Sequence, residues 1–407
     1  NATFVREAPL KGKIAFLAQS GGVAVAVLDW AQPRGIGFSA VVSMGSMLDV
    51  DFGDLLDHYA ADPGTTSIVM YIEAVTSARK FMSAARRAAR GKPVVVVKAG
   101  RVPQGAAAAA SHTGALAGSD DVYDAAFRRA GMLRVGEISD LFDAVETLSR
   151  GGKPSGNRLA IITNGGGPGV LATDALIAQG GALATLSGAT LSALNGALPA
   201  CWSGTNPIDI IGDADSKRYE DAVAALLCDS NTDALLVAHC PTAITSPKEA
   251  AGGVTRAIDK TMRSGASQKM VLASWLGERS AKEGRDHLTG SGVAQYETPE
   301  RAVRAFMHMI DYRDNQALLM ETPATAAAGR PADRDAACTI IERSLQAVRQ
   351  WLDTADATSL LSAYGIPTLR SIVARTPEEA GDVAADWSHP VALKIRSNDV
   401  VHKSDVG

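Results

Sequence analysis

The chain is poor in cysteine, with four in 407 residues (Cys201, Cys228, Cys240 and Cys338) and no CxxC pair. That spacing builds neither a disulfide framework nor a zinc site, and it reads as cytosolic. Positive charge is not in excess either, since the net charge is −4. Lys and Arg are scattered, apart from a helical face at Arg86, Arg87 and Arg90 that reads as solvated surface. No basic field exists to attract nucleic acid. No apolar run approaches the roughly 20 residues of a membrane span, so no membrane partner is expected. The first residue is Asn1, with no basic segment and apolar stretch after it. The chain therefore reads as a trimmed piece of a longer protein, not as a secreted precursor.

What is present is an ordinary globular mixture, 46% hydrophobic and 21% charged. The length exceeds one core and suits two or three domains. Short Val/Ile/Leu-rich runs alternate with helical stretches, the pattern of parallel sheets built from βαβ units. In the first segment the expected strands are Ile14–Gln19, Ala40–Gly45, Ile68–Glu73 and Val94–Ala99, with helices over Val23–Gln32, Ser77–Arg90 and about Asp121–Ala130. Ser119, followed by two acids, suits the N-cap of that last helix. Gly151–Gly156 is a linker by composition. The pattern then restarts with strands at Leu159–Asn164, Ala182–Ser187, Ala234–His239, Met270–Trp275 and Val293–Thr298. Glu321–Asp335 reads as an exposed connector. Helices at Thr339–Leu352 and Thr358–Tyr364 follow, with strands at Thr368–Ala374 and Val391–Ile395. The expected fold is α/β, with two consecutive flavodoxin-like doubly wound parallel-sheet domains at 9–150 and 157–318. A linker at 319–338 and the start of a third domain at 339–407 complete it.

Both sheet segments open alike, with an apolar strand, a polar residue, adjacent glycines and then a helix. The first opening is Ser20, Gly21 and Gly22 after Phe16–Gln19; the second is Gly165, Gly166 and Gly167 after Ile161–Asn164. A helix N-terminus presents free N–H groups and partial positive charge, and glycine lets the backbone approach an anion. Tight packing explains one such turn as well as phosphate does; two in succession favour phosphate. Neither turn is GxGxxG, so a dinucleotide site is not expected. Ala18–Gly22 also brushes against a nucleophile elbow, but Ala stands where that motif has Gly.

The sharpest stretch is Ala106–Gly118, where His112 sits among small residues after the strand Val94–Ala99. Small neighbours admit a bulky reactant to the imidazole. A histidine in a loop is commonly a surface or hydrogen-bonded residue, so the neighbours carry the functional reading. No other ligand stands near His112 at metal-binding spacing, which disfavours zinc.

These residues carry a resemblance. Ser111-His-Thr-Gly-Ala-Leu-Ala-Gly118, preceded by Val97-Lys-Ala-Gly-Arg101, resembles the phosphohistidine loop of ADP-forming acetyl-CoA synthetases, relatives of succinyl-CoA synthetase. Gln19-Ser-Gly-Gly22, Tyr71-Ile-Glu73 and Asn206-Pro-Ile-Asp209 resemble other signatures of that family. Pro390–Ile395 and His402–Gly407 resemble the opening of its ATP-grasp domain.

The resemblance implies that His112 carries phosphate, with Thr113 and Gly114 beside it and the two glycine turns holding the phosphoryl group. It also implies that Glu73 bonds the far imidazole nitrogen, that Lys394 meets nucleotide phosphate, and that His402 relays phosphate between sites. The bland readings are a strand-end acid for Glu73 and a structural role for His402. Acyl-CoA, phosphate, ATP or ADP and Mg2+ are the implied ligands, with a homo-oligomer or a partner subunit as the assembly. The family's CoA-binding domain normally precedes the first segment, so residues 1–8 would be its tail, and the piece alone is not expected to turn over. Arg304–Gln316 further resembles the subfamily fused to a GNAT acetyltransferase, in which the synthetase part senses acyl-CoA. A phosphate-binding scaffold without catalysis is the third reading.

Overall fold

The computed structural model describes residues 7–32, 35–107, 119–150, 154–264, 269–322, 332–347, 351–387 and 389–394. Five strands form the first sheet: β1 (Lys11–Ala18), β2 (Phe38–Ser43), β3 (Ser67–Ile72), β4 (Val94–Lys98) and β5 (Leu133–Val135). All ladders are parallel and the order is β2-β1-β3-β4-β5. The second sheet uses β6 (Arg158–Thr163), β7 (Ala182–Leu183), β8 (Ile208–Asp209), β9 (Ala234–His239), β10 (Met270–Trp275) and β11 (Ala294–Tyr296). Its order is β11-β10-β9-β6-β7, with β8 on the end of β6. Both sheets thus wind alike, β1 lying between β2 and β3 and β6 between β7 and β9, as the doubly wound pattern expected from the sequence requires.

Strand composition explains this arrangement. Val94–Val97 and Ala234–Ala238 are buried along their whole length, which suits parallel strands covered on both faces. The first sheet has one face under helices Phe52–Ala61 and Ala78–Gly91, with Leu56, Phe81 and Ala85 in that core layer. Local signals start these helices. Asp51 and Asp54 form a reciprocal capping box at the first of them. Ser246 and Thr298 cap the helices Pro247–Arg263 and Pro299–Met320, each with proline in the first turn.

One core joins the two sheets. Phe16, Val69 and Val97 of the first and Leu159, Ile161 and Leu272 of the second belong to the same buried cluster as Phe306, Met309 and Ile310 of helix Pro299–Met320. Polar bolts fix that helix to the first sheet's side. Asn315 donates to the Met132 carbonyl at 2.8 Å and Gln316 to that of Gly131 at 2.7 Å. Gly131 has φ +74° and lies so near Leu319 that a Cβ would sit 2.5 Å from Cδ2, so glycine is needed there on both counts. Arg301 grips Asp143 through Nε and Nη2, at 3.1 and 2.9 Å, tying the helix to Ile138–Arg150.

Several elements differ from the sequence reading. Ala182–Ser187 keeps ladder pairing only at Ala182–Leu183, because Ser187 turns to cap helix Gly188–Ala197. Ser119 stands at the N-cap of helix Asp120–Arg129 without a side-chain cap bond. The unit Thr322–Gly407 holds helices Arg334–Gln346, Thr354–Ala363 and Pro377–Ala385, and the first two are linked by an ion pair of Arg343 and Asp356. Thr368–Ala374 and Val391–Lys394 are not strands, since a strand needs a ladder partner and the described residues of this unit contain none. Ile395 lies outside the described residues.

The start of the second sheet hangs on one carboxylate. Asp233 accepts from the Arg158 backbone at 3.0 Å, the Arg158 guanidinium at 2.8 and 2.9 Å, and the Ser155 hydroxyl at 2.9 Å. The hydrogen bonds from the Arg158 side chain lower its pKa to about 2, burial opposes them, and the Arg158 backbone and Ser155 add to the lowering. A carboxylate with a depressed folded pKa stabilises above its ordinary value and loses that contribution as pH falls through the folded one. Asp233→Asn is therefore expected to lower stability at pH 7 by about 1–2 kcal/mol after solvent screening of the half-exposed arginine. Urea unfolding at pH 7 and at pH 2 should show the difference shrinking at the lower pH.

Candidate functional site

In a doubly wound sheet a crevice opens where neighbouring strands send their helices to opposite faces. In the first sheet this happens between β1 and β3. Helix Gly21–Ala31 buries Val27 and Leu28 in the core shared with the second sheet, whereas Ala78–Gly91 buries Phe81 and Ala84 on the other face. Ser20, Gly21 and Gly22 stand at the crevice as the helix starts. Ser20 is the N-cap and accepts from the Val23 backbone at 3.3 Å. Gly21 and Gly22 are exposed, and no acid occupies the first turn to compete for an anion.

The other lip is the end of β3. Glu73 is 7% exposed there, and its backbone N–H donates to Gln19 Oε1 at 2.6 Å. Ala74 donates to the same oxygen at 2.9 Å, while the Gln19 N–H returns to the Tyr71 carbonyl at 3.2 Å. Burial raises the Tyr71 pKa, helped by the charge of Glu73 and a hydrogen bond to it.

Beside this lip, Lys98 ends β4 opposite Ile72, and it is 2% exposed. Its ammonium donates to the Ala99 carbonyl and lies 4.6 Å from the centre of the Tyr123 ring. The Tyr123 hydroxyl accepts from the Val75 backbone at 3.1 Å. Burial lowers the Lys98 pKa, and Asp120 and Glu73 work against that shift while Arg134 adds to it. Arg134 in turn pairs with Asp120 at 2.6 Å. A cation is thus held under the crevice wall.

The second sheet repeats the arrangement between β6 and β9. Helix Gly166–Ala178 buries Ala172 and Leu176 in the shared core, and Pro247–Arg263 buries Ala250 and Val254 on the opposite face. Gly165 is the N-cap and provides no side-chain cap bond, Gly166 and Gly167 are exposed, and the first turn again lacks an acid. Asn164 crosses the crevice to Cys240, accepting from its N–H at 2.7 Å and donating to its carbonyl at 2.9 Å. Burial, then Asp209, raises the Cys240 thiol pKa, which keeps it protonated and a poor nucleophile. Asn206 replaces a missing ladder partner, bonding Ile161 N at 3.0 Å and the Leu159 and Ala184 carbonyls at 2.9 and 3.0 Å. That gives the Asn206–Asp209 signature a structural duty.

Ser20–Gly22, Glu73 and Gly165–Gly167 therefore stand at crevices of one compact unit, Asn1–Glu321. His112, Thr113 and Gly114 lie outside the described residues, as does His402. Lys394 is exposed in the second unit. No three His, Cys, Asp or Glu side chains among the described residues cluster as a metal site, and none of those described helices is long and apolar enough to cross a membrane. Sequence reasoning assigned no role to Lys98, though a charge closing an all-valine strand was the available signal.

Comparison with known proteins finds relatives along the whole chain. A succinyl-CoA ligase-like flavodoxin domain matches residues 11–148, a ligase-CoA domain 159–318 and an ATP-grasp domain 343–407. The chain is 40% identical over 407 residues to acetate–CoA ligase [ADP-forming] I of Archaeoglobus fulgidus, covering all of this chain and 57% of the relative. It is 37% identical over 318 residues to acetate–CoA ligase [ADP-forming] II subunit alpha of Pyrococcus furiosus, covering 77% of this chain and 68% of that one. A solved structure of Ca. Korarchaeum cryptofilum dinucleotide forming acetyl-coenzyme A synthetase 1, in complex with phosphate and ADP, superposes with a TM-score of 0.72 at 36% identity. That match covers 80% of this chain and 70% of the other. The chain thus spans little more than half the length of the full-length Archaeoglobus relative.

Behind the second crevice, His239 is fully buried, bonded through Nδ1 to the Tyr219 hydroxyl at 2.8 Å and stacked on Trp275. Burial lowers its pKa to about 4, and that of His308 likewise. The unfolded chain takes up these protons near pH 6.5 and the folded chain refuses them, so stability falls between pH 6.5 and 4. His239→Phe is expected to reduce that slope by about 1.4 kcal/mol per pH unit, whatever its pH-independent cost. Denaturant unfolding at several pH values reads the slope directly.

Proposed function

The chain belongs to the ADP-forming acetyl-CoA synthetase family, relatives of succinyl-CoA ligase, and on that premise we propose that it is the phosphohistidine-bearing part of such an acyl-CoA synthetase. The reaction exchanges acyl-CoA, phosphate and ADP for acid, CoA and ATP. The observation that carries this reading is the pair of crevices, each with an exposed glycine turn at a helix start and the first with a buried carboxylate on its other lip.

Chemistry follows from what these groups can do. Phosphate oxygen attacks the acyl carbonyl and the CoA thiolate leaves, giving an acyl phosphate. A nitrogen of His112 then attacks phosphorus, the P–O bond to the acyl group breaks, and the carboxylate departs. Finally the ADP terminal oxygen takes the phosphoryl group and frees the imidazole. The glycine turns Ser20–Gly22 and Gly165–Gly167 supply N–H groups and helix-dipole charge where the phosphoryl oxygens gather, with Thr113 and Gly114 beside them. Glu73 would accept from the far imidazole nitrogen, fixing the tautomer that leaves the attacking nitrogen nucleophilic. Lys394 and His402 would serve the nucleotide and the relay of phosphate toward it. Mg2+ would arrive with the nucleotide and screen its phosphates, since the described residues offer no metal cluster of their own.

The Pyrococcus relative is named as an alpha subunit, and residues of this chain also resemble acetate–CoA ligase [ADP-forming] I subunit beta of the same organism, which supports a partner subunit or a covalently linked ATP-grasp region for this chain. The relatives compared above carry ligase or synthetase names, and nothing in them favours an acetyltransferase fusion. Cytoplasmic placement remains part of the proposal, resting on cysteine usage.

In the complete protein, ATP with Mg2+ should place an acid-labile, alkali-stable phosphate on His112. Phosphoramidates hydrolyse in acid because protonated nitrogen leaves readily, which distinguishes this label from phosphate on Ser111 or Thr113. His112→Ala should abolish it and Ser111→Ala should not; a wild-type protein that stays unlabelled would favour the scaffold reading. Glu73→Gln should slow single-turnover labelling by on the order of 10²-fold with the fold intact. An unchanged rate would reduce Glu73 to a strand-end acid.

A further inference from the structure

Gln19 and Asn164 occupy the same place in the two sheets. Each is the first residue after a central strand and the last before a glycine turn. Each sends an amide side chain over the crevice to the chain leaving the neighbouring strand. Gln19 takes the N–H groups of Glu73 and Ala74 at 2.6 and 2.9 Å, and Asn164 takes both backbone groups of Cys240 at 2.7 and 2.9 Å. Both are buried, at 7% and 2% exposure. Glu73 and Cys240 are equivalent too, as the first residues beyond β3 and β9.

The chemistry of the bridge is selective. Parallel strands end their ladder at the switch point, and the N–H groups just beyond it need acceptors. An amide supplies the acceptor without adding charge beside a turn that must receive an anion. Aspartate or glutamate would satisfy the same N–H groups but repel phosphate, and lysine or arginine has no acceptor to offer. The amide also fixes the distance between the two lips, because the backbone on both sides is held by the same side chain.

We propose that Gln19 and Asn164 are matched positioning residues, each setting the width of its crevice so that glycine turn and facing strand end close on one phosphoryl group. The proposal rests on the phosphohistidine reading above. A merely structural bridge would satisfy buried N–H groups and leave the chemistry alone, so the test must read chemistry and geometry separately.

The complete protein and its Gln19→Met and Asn164→Leu variants, which keep side-chain bulk and lose the amide, allow that separation. In each variant the rate of His112 labelling is expected to fall by about 10- to 100-fold, as for other small misplacements of reacting groups. In turnover from acyl-CoA, phosphate and ADP the orthophosphate concentration for half-maximal rate should rise, while the ATP concentration for half-maximal His112 labelling stays unchanged. Wild-type rates and orthophosphate dependence in a folded variant would overturn the proposal. Should a variant fail to fold, amide hydrogen exchange in the wild type decides instead. Orthophosphate should slow exchange at Glu73, Ala74 and Cys240 severalfold, and no change there would overturn the proposal as well. Absence of any His112 label in the wild type would strike the functional reading itself, and the exchange measurement would still judge the bridges.

Discussion

A helix that starts directly after a parallel strand leaves its first N–H groups without partners, and they point out of the carboxyl edge of the sheet. That obligation falls at Ser20–Gly22 and at Gly165–Gly167, and the rest of the site depends on how it is met. Ser20 uses its hydroxyl on one N–H, that of Val23. Gly165 has no side chain to use. Acids are absent from both first turns, so neither carboxylates nor a capping box neutralise the positive ends. The contrast lies within the same molecule, where Asp51 and Asp54 close the start of helix Phe52–Ala61 with their own carboxylates. The two glycine turns are finished to different degrees, Ser20 capping one N–H and Gly165 offering no side chain.

Holding such turns steady requires a rigid frame. The two sheets share one apolar core across helix Pro299–Met320, so each β-layer braces the other. Polar bolts from Asn315, Gln316 and Arg301 set the position of that helix, and they are specific where the apolar contacts are not. The buried Lys98 belongs to the same logic. A cation held against the Tyr123 face and the Ala99 carbonyl is costly unless charge nearby balances it, and Glu73 and Asp120 both act on it. The edge proposed to receive an anion is thus built on a frame that already contains compensated charge.

Much of this was legible in the chain. Strands such as Val94–Lys98 and Ala234–His239 announce themselves by continuous burial-type composition, and both glycine turns fell at helix starts as expected. Ser119 shows where composition stops short, because whether a hydroxyl reaches the N–H groups depends on a side-chain rotamer. Ala182–Ser187 was overread because its second half serves a cap, which competes locally with pairing. Thr368–Ala374 has strand composition but no neighbour among the described residues, and pairing is not a property of one segment. At the site, the strand–glycine–helix pattern singled out the turns and the resemblance carried by Tyr71–Glu73 singled out Glu73, and all of them stand at the crevices. The bridging of Gln19 and Asn164 was not, since it joins residues 54 and 76 positions apart that only the strand order brings together.

The central claim is that the two turns act on one phosphoryl group. The most direct measurement is a crystal structure of the complete protein soaked with orthophosphate. The account predicts one phosphate accepting N–H groups from Gly21 or Gly22 on one side and from Gly166 or Gly167 on the other, with the His112 imidazole in contact. A phosphate bound at one turn alone, with the other crevice turned away and His112 elsewhere, would contradict it.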